Sequence, residues 1–185
     1  MLDGQFRKQV DSWVTPLGKS AKRAGISADV ITGVGVLMAV ACAVSIGLGY
    51  LSLGLLLLCL TGIPDLLDGA IAKAAGTAHP RGAFFDSVTD RLTDALLFGG
   101  VAWYYVRIDQ GNLALLAFAV YASASMVSYI RAKADSLGFD AHVGLIERAE
   151  RFIVLGFGLL FSGLLAWTLW VLLALNVITD SQRFV

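Results

Sequence analysis

Five aspartates lie close together in the first half of the chain, within segments that are otherwise rich in apolar residues. Three of them are spaced four residues apart and would form one stripe along a helix, whereas the other two are three residues apart and would share one face of an earlier helix. Converging like charges repel one another unless cations neutralise them, and carboxylate oxygens are ligands that suit Mg²⁺ and Mn²⁺. The pattern therefore predicts a divalent-metal site between two helices. The five residues are Asp65, Asp68, Asp86, Asp90 and Asp94.

Asp94 differs from the other four aspartates because it has candidate ion-pair partners. Arg91 and Lys73 are both available to it, and such a pair would give Asp94 a structural role. The same explanation fails for the other four aspartates, because nearby cations are too few to pair with all of them. Two glycines beside the aspartates, Gly69 and Gly82, would let a phosphate-bearing ligand approach the backbone closely.

The segments around these residues are apolar enough to cross a lipid bilayer. Hydrophobic residues make up 57% of the chain, charged residues 15%, and the mean hydropathy is +0.75. A soluble chain of 185 residues has too little interior to bury so much apolar surface. Since one span needs about 20 apolar residues, the sequence predicts an all-α, polytopic membrane protein with six transmembrane helices. The predicted spans are centred near residues 30–47, 51–73, 84–106, 113–134, 145–161 and 164–179.

The first 25 residues precede these spans and mix spaced apolar side chains with basic ones. This spacing predicts an interfacial amphipathic helix whose basic face contacts lipid headgroups. A polar leader without fixed structure is the alternative. The segment has no apolar core followed by a small-residue cleavage site, so a signal peptide is not expected. The predicted organisation is a juxtamembrane segment, 1–25, followed by a six-helix domain, 26–185.

The basic residues predict the orientation of the chain in the membrane, because cytoplasmic segments retain an excess of Lys and Arg. With six spans and the N-terminus inside, thirteen of the fourteen Lys and Arg residues fall on the cytoplasmic side or in the adjoining helix halves. Only Arg107 lies outside. The sequence thus predicts a plasma-membrane protein with both termini and the aspartates at the cytoplasmic face. Cys42 and Cys59 lie in apolar runs and are expected to be packing residues.

The aspartates belong to a longer pattern of 26 residues. It reads Asp65-x2-Asp68-Gly69-x2-Ala72-Lys73-x8-Gly82-x3-Asp86-x3-Asp90. This pattern resembles the signature of the CDP-alcohol phosphotransferase family, Asp-x2-Asp-Gly-x2-Ala-Arg-x8-Gly-x3-Asp-x3-Asp. Seven of the eight fixed positions agree, and every gap is preserved. Lys73 stands where the family usually has Arg, which exchanges a bidentate contact with phosphate for a point contact.

The resemblance implies a six-helix membrane enzyme, usually a homodimer, with a polar cavity that faces the cytoplasm. It implies two divalent ions, Mg²⁺ or Mn²⁺, held by the four aspartates of the signature. The last of these, Asp90, would be the base that deprotonates an attacking hydroxyl. CDP-diacylglycerol would be the donor in the lipid bilayer and CMP the leaving group, while no nucleic-acid partner is expected. The implied CDP-lipid contacts are Asp29, Thr32, Gly69, Ala72, Lys73 and Gly82.

Asp29 and Thr32 enter this set through a second, shorter similarity. They form an Asp-x-x-Thr element at the start of the first span, which resembles the family's (Asn/Asp)-x-x-Thr element beside the cytidine nucleotide. Asp29 is also suited to cap the first helix, and both interpretations can hold together.

Basic residues also gather at the predicted cytoplasmic ends of the last three spans. Several cations that converge on one cavity would suit a second, anionic substrate. The alternative for Arg148 and Lys133 is that they reach from the helix ends to the membrane interface. Glu147 and Glu150 are expected to support the arginines through salt bridges. The candidate acceptor-phosphate ligands are Arg131, Lys133, Arg148, Arg151 and Arg183.

This basic pattern resembles the branch of the family that makes phosphatidylinositol phosphate from CDP-diacylglycerol and inositol 1-phosphate. That branch has Ser-Tyr-Ile-Lys-Ala-Arg-Ala-Glu and Ile-Glu-Arg-Pro-Glu-Arg, with a basic residue at the end of the last helix. Here Arg131 and Lys133 occur in the reverse order, and Ala149 replaces Pro. The resemblance implies that the phosphate contacts are made by Arg131, Arg151 and Arg183.

Two other functions compete with transfer to inositol 1-phosphate. Glycerol 3-phosphate is the alternative acceptor, since related enzymes that use it also recruit basic residues in this region. A divalent metal transporter is the alternative from a different class. A transporter would favour a site in the middle of the membrane without a basic cluster nearby.

Overall fold

The structure is a computed structural model that describes residues 28–62, 80–141 and 143–184. Within these ranges it contains helices and no β-strand, which confirms the all-α prediction. A 3-10 helix at Ser162–Leu164 joins the last two α-helices. The α-helices are α1 (Ala28–Gly47), α2 (Leu51–Gly62), α3 (Pro80–Arg107), α4 (Gly111–Leu137), α5 (Arg148–Leu160) and α6 (Leu165–Phe184).

Each of the six predicted spans corresponds to one of these helices. Three segments are long and apolar enough to cross a membrane, namely Val30–Gly47, Gly111–Leu137 and Ser162–Phe184. Large apolar side chains such as Leu37 and Trp167 are exposed on their surfaces, as expected for helices in contact with lipid. The chain is therefore a polytopic membrane protein.

The bounds of several predicted spans differ from the structure by a few residues. The third helix begins at Pro80, four residues before the predicted span, and the sixth ends at Phe184, five residues after it. The fifth helix begins three residues later than predicted, at Arg148, because residues 143–147 form a loop. The predicted amphipathic segment 1–25 and the end of the second predicted span, 63–73, lie outside the described residues. The division of the chain into 1–25 and 26–185 thus stays a prediction.

The chain divides into two compact units. The first unit comprises Met1–Val40 and Cys59–Thr93, and it contains the first two aspartates of α3. The second comprises Ala41–Leu58 and Asp94–Val185, and it contains the third aspartate of α3 together with the arginines of α4, α5 and α6.

The core of the second unit is formed by apolar side chains from all six helices. Small residues and polar contacts bring these helices close together, as is typical of helices in lipid. Cys42 of α1 donates its thiol to the carbonyl oxygen of Gly54 in α2 at 3.2 Å. Asn176 of α6 donates its amide to the hydroxyl of Ser123 in α4 at 3.0 Å. Fully buried core residues include Ile46, Leu97, Phe98, Val101, Val120, Leu155, Leu159, Leu165, Leu169 and Leu172.

Gly100 lies where the backbone of α3 comes close to that of α1. A Cβ atom at this position would lie 2.5 Å from the carbonyl oxygen of Ala43 and 2.7 Å from its Cα, whereas a Cβ atom at Gly99 would meet nothing within 4 Å. We expect Gly100→Ala to lower the free energy of unfolding by about 1–3 kcal/mol through overpacking. Gly99→Ala should be neutral or slightly stabilising, because alanine favours the helix. Thermal unfolding in detergent compares the two variants, and equal midpoints would contradict the close approach.

Candidate functional site

Asp86 and Asp90 lie one turn apart on α3, in the first unit. We call these two residues the acidic face of α3. Asp86 is exposed, and Asp90 is partly buried with a carboxylate oxygen 3.5 Å from Nη1 of Arg91. Between them, Thr89 donates its hydroxyl to the carbonyl oxygens of Phe85 and Asp86, at 3.0 and 2.9 Å. The hydroxyl of Thr89 is thus satisfied within the helix, while both carboxylates project from adjacent turns.

The donor chemistry of Asp86 and Asp90 fits a divalent cation. Both side chains offer hard oxygen ligands from adjacent turns of a single helix, and Asp86 is exposed. The other two predicted ligands, Asp65 and Asp68, lie outside the described residues. Among the residues that the structure describes, no group of three or more candidate ligands is gathered. The four-aspartate metal site therefore stays a prediction.

The residues predicted to contact the CDP-lipid are only partly within the described ranges. Asp29 and Thr32 lie in α1, where Thr32 is partly buried. Gly82 lies near the start of α3, and a Cβ atom there would meet nothing within 4 Å. The space beside Gly82 is compatible with a ligand close to the backbone. The remaining three, Gly69, Ala72 and Lys73, lie outside the described residues.

Asp94, the third aspartate of α3, is buried against two arginines of α5. Its side chain accepts a hydrogen bond from Nη2 of Arg151 at 2.9 Å, and its other oxygen lies 3.6 Å from Nε of Arg148. Asp94 and Arg151 are only 5% and 2% exposed. Arg91, one of the two candidate partners of Asp94, donates instead to the carbonyl oxygen of Ser87 and lies beside Asp90. The other expected partner, the lysine at position 73, is outside the described residues.

Glu147 joins two further arginines at the start of α5. Its Oε1 lies 3.0 Å from Nη1 of Arg131 and 3.5 Å from Nη2 of Arg183. Glu147 is also the N-cap residue of α5, where it forms a reciprocal capping box with Glu150. These contacts confirm the expected supporting role of Glu147. Lys133, two residues after Arg131 in α4, is exposed.

Arg183 is buried at the end of α6 and is anchored by backbone carbonyls. Its Nε donates to the carbonyl oxygen of Val143 at 2.7 Å, and its Nη1 donates to that of Val127 in α4 at 2.9 Å. One turn earlier, the hydroxyl oxygen of Thr179 accepts the backbone N–H groups of Leu145 and Ile146, each at 3.2 Å. Thr179 is not among the residues predicted from the sequence, although a polar residue four positions before Arg183 in an apolar helix indicates a position on the same face.

The structure thus brings four of the five predicted phosphate ligands into two groups of ion pairs within the second unit. Arg148 and Arg151 share Asp94, and Arg131 and Arg183 share Glu147. In these pairs four guanidinium groups meet two carboxylates, while Glu150 and Asp180 add negative charge nearby. Several guanidinium groups gathered in this way suit an anionic ligand. We call the residues of these pairs the arginine cluster: Arg131, Arg148, Arg151 and Arg183 with Asp94 and Glu147.

The chain matches the sequence model of the CDP-alcohol phosphatidyltransferase family over residues 26–179. This match covers the acidic face of α3 and three of the four arginines of the arginine cluster. The chain belongs to the CDP-alcohol phosphatidyltransferase family. The matched range includes the aspartates of the signature.

Relatives of this phosphatidyltransferase include enzymes of inositol-lipid synthesis. The phosphatidylinositol phosphate synthase of Mycolicibacterium smegmatis is 34% identical over 91% of this chain and 80% of that protein. The archaetidylinositol phosphate synthase of Methanothermobacter thermautotrophicus is 37% identical over 98% of this chain and 91% of that protein.

Solved structures of phosphatidylinositol phosphate synthase from Mycobacterium tuberculosis share the fold of this phosphatidyltransferase. One, with CDP-DAG bound, superposes with a TM-score of 0.86 at 30% identity and covers 92% of this chain and 91% of that chain. Another, in complex with manganese and citrate, has a TM-score of 0.84 at 30% identity and covers 92% and 87%. The match extends over almost the whole chain in both cases.

Proposed function

We propose that this chain is a membrane transferase that moves a phosphatidyl group from CDP-diacylglycerol to inositol 1-phosphate, giving phosphatidylinositol phosphate and CMP. The observation that supports the choice of acceptor is the agreement between two relatives that this chain matches over 80% and 91% of their lengths. Their names differ in the lipid part, phosphatidyl and archaetidyl, but both name an inositol phosphate product. The inositol phosphate acceptor is therefore better supported than any particular lipid tail.

The acidic face of α3 supports the chemical step of this proposal. The acceptor hydroxyl attacks the phosphorus nearer the lipid, the bond from that phosphorus to the CMP oxygen breaks, and CMP leaves. The carboxylate of Asp90 takes the hydroxyl proton, for which it needs only to be correctly positioned. Two divalent ions, Mg²⁺ or Mn²⁺, would be held by four aspartates and would supply positive charge opposite the pyrophosphate. The four ligands are Asp65, Asp68, Asp86 and Asp90.

The arginine cluster supports an acceptor that carries a phosphate group. Guanidinium groups bind phosphate oxygens through charge-assisted and often bidentate hydrogen bonds. Arg148 and Arg151 both lie in the first turn of α5. The guanidinium carbon of Arg148 lies 4.9 Å from the centre of the Phe152 ring, and this cation–π contact orients the guanidinium group. Lys133 is exposed two residues after Arg131 and would add a flexible cation. The proposed phosphate ligands are Arg131, Lys133, Arg148, Arg151 and Arg183.

The CDP-lipid would bind along the signature residues that precede and begin α3, together with α1. Thr32 is partly buried in α1 and the backbone at Gly82 is open, as close approach of a phosphate requires. The proposed contacts are Asp29, Thr32, Gly69, Ala72, Lys73 and Gly82. The excess of basic residues on one side of the predicted spans supports a cytoplasmic active site, and we propose a homodimer in the plasma membrane.

CMP release by the purified protein tests the proposed class of reaction. With CDP-diacylglycerol, inositol 1-phosphate and Mg²⁺ or Mn²⁺, we expect turnover that EDTA abolishes and excess divalent ion restores, because the carboxylates of α3 repel one another without a cation. Chromatography of released CMP measures this directly. Metal binding without CMP release from any combination of donor and alcohol would overturn the proposal and favour a metal transporter.

A further inference from the structure

The loop between α4 and α5 is held by the last two turns of α6. Residues 143–147 of this loop lead directly into α5, where Arg148 and Arg151 occupy the first turn. Arg183 holds the carbonyl oxygen of Val143, and Thr179 holds the N–H groups of the two residues that precede Glu147. The start of α5 is thus fixed from both sides of Gly144.

Thr179 is completely buried, and its hydroxyl oxygen is the acceptor for two backbone N–H groups. One of these groups belongs to Ile146, which is itself 1% exposed, so water cannot replace the lost acceptor readily. A buried N–H group without a partner costs free energy, and the loop would move to find another acceptor. Leu145 and Ile146 are immediately followed by the N-cap of α5, so a shift of this loop moves the first turn of the helix.

Gly144 provides an independent indication that this contact is close. Its φ of +146° is a backbone conformation that favours glycine, and a Cβ atom there would lie 2.6 Å from Cγ2 of Thr179 and 3.3 Å from Nε of Arg183. The loop therefore lies directly against the side chains of Thr179 and Arg183, with no room for even a methyl group between them.

We propose that Thr179 is a positioning residue for the acceptor phosphate. Its hydroxyl fixes the backbone of residues 145 and 146, and through the N-cap at Glu147 it fixes the direction in which Arg148 and Arg151 leave α5. Thr179 does not contact the substrate in this account, and the role rests on the proposed function of the arginine cluster. Positioning of this kind acts on the binding of the anionic acceptor and leaves the CDP-lipid site unchanged.

Steady-state kinetics of Thr179→Val test this role, because valine keeps the shape of threonine and removes the oxygen. We expect the KM for inositol 1-phosphate to rise at least about tenfold, while the KM for CDP-diacylglycerol stays within about twofold of wild type. Thr179→Ser restores the hydroxyl and should bring the acceptor KM back toward wild type. Ser181→Ala is the matched control, since Ser181 is exposed and donates its hydroxyl within α6 to Val177.

Gly144→Ala provides a second variant if the valine protein does not fold. It leaves Thr179 in place but pushes the loop away from it, so the same selective rise in acceptor KM is expected. Unchanged acceptor KM in a folded Thr179→Val protein, or in Gly144→Ala, would overturn the positioning role. Absence of turnover with inositol 1-phosphate in the wild-type protein would instead overturn the proposed function.

Discussion

Replacement of Asp90 by asparagine is expected to lower the rate of CMP release by about 10³-fold, since general acid–base catalysis alone contributes about 10²–10⁴-fold. Asparagine keeps the shape of the side chain but can neither accept the proton nor supply an anionic ligand. The fold should survive, because Asp90 is partly exposed and its neighbour Arg91 is anchored separately by the carbonyl oxygen of Ser87. The rate of CMP release under saturating donor and acceptor measures the effect.

Asp109→Asn is the matched control for this substitution. Asp109 is exposed in the turn between α3 and α4 and has a φ of 57°, a conformation that asparagine tolerates as well as aspartate. It should retain wild-type turnover. An Asp90→Asn protein that folds and retains more than about a tenth of wild-type activity would exclude Asp90 as the base.

Loss of Arg151 is expected to give the largest effect on stability. Arg151→Met removes the 2.9 Å partner of the buried Asp94 carboxylate and leaves only Arg148, at 3.6 Å. Breaking a buried ion pair costs about 3–5 kcal/mol when the remaining charge is uncompensated, so we expect a loss at the lower end of this range. The double variant Asp94→Asn with Arg151→Met removes both charges and should recover a large part of that loss. Thermal unfolding in detergent of the wild type, the two single variants Asp94→Asn and Arg151→Met, and the double variant gives the coupling free energy of the pair.

Arg131→Met supplies the comparison for an exposed ion pair. The side chains of Arg131 and Glu147 are 37% and 58% exposed, and pairs of this kind contribute about 0–1 kcal/mol. We therefore expect only a small change in the unfolding midpoint. Equal destabilisation by Arg131→Met and Arg151→Met would contradict the distinction between the buried Asp94–Arg151 pair and the exposed Arg131–Glu147 pair.

The sequence was sufficient to predict the helices and the family. Long apolar runs separated by glycine and charged residues give the positions of α1 to α6, because a bilayer span needs a minimum length of apolar chain. The aspartates of the signature are also recognisable from the sequence, because carboxylates in apolar segments are costly and are kept for function. Preserved gaps around Asp86 and Asp90 then indicate the reaction class.

The partners of Asp94 could not be predicted in the same way. Local spacing offers Arg91, three residues earlier, but Arg151 lies 57 residues away along the chain and meets Asp94 only in the folded second unit. A sequence pattern reports neighbours on one helix and says little about which faces of two distant helices meet. The same limit applies to Thr179, whose two hydrogen bonds join residues more than thirty positions apart.

Competition between two acceptors tests the central claim most directly. The purified protein is given CDP-diacylglycerol, a divalent ion, and equal concentrations of inositol 1-phosphate and glycerol 3-phosphate, and the lipid products are quantified by mass spectrometry. The product ratio equals the ratio of kcat/KM for the two acceptors, which we expect to favour phosphatidylinositol phosphate by at least about tenfold. A product mixture dominated by phosphatidylglycerophosphate would contradict the inositol phosphate assignment, although transfer of a phosphatidyl group from CDP-diacylglycerol would still be confirmed.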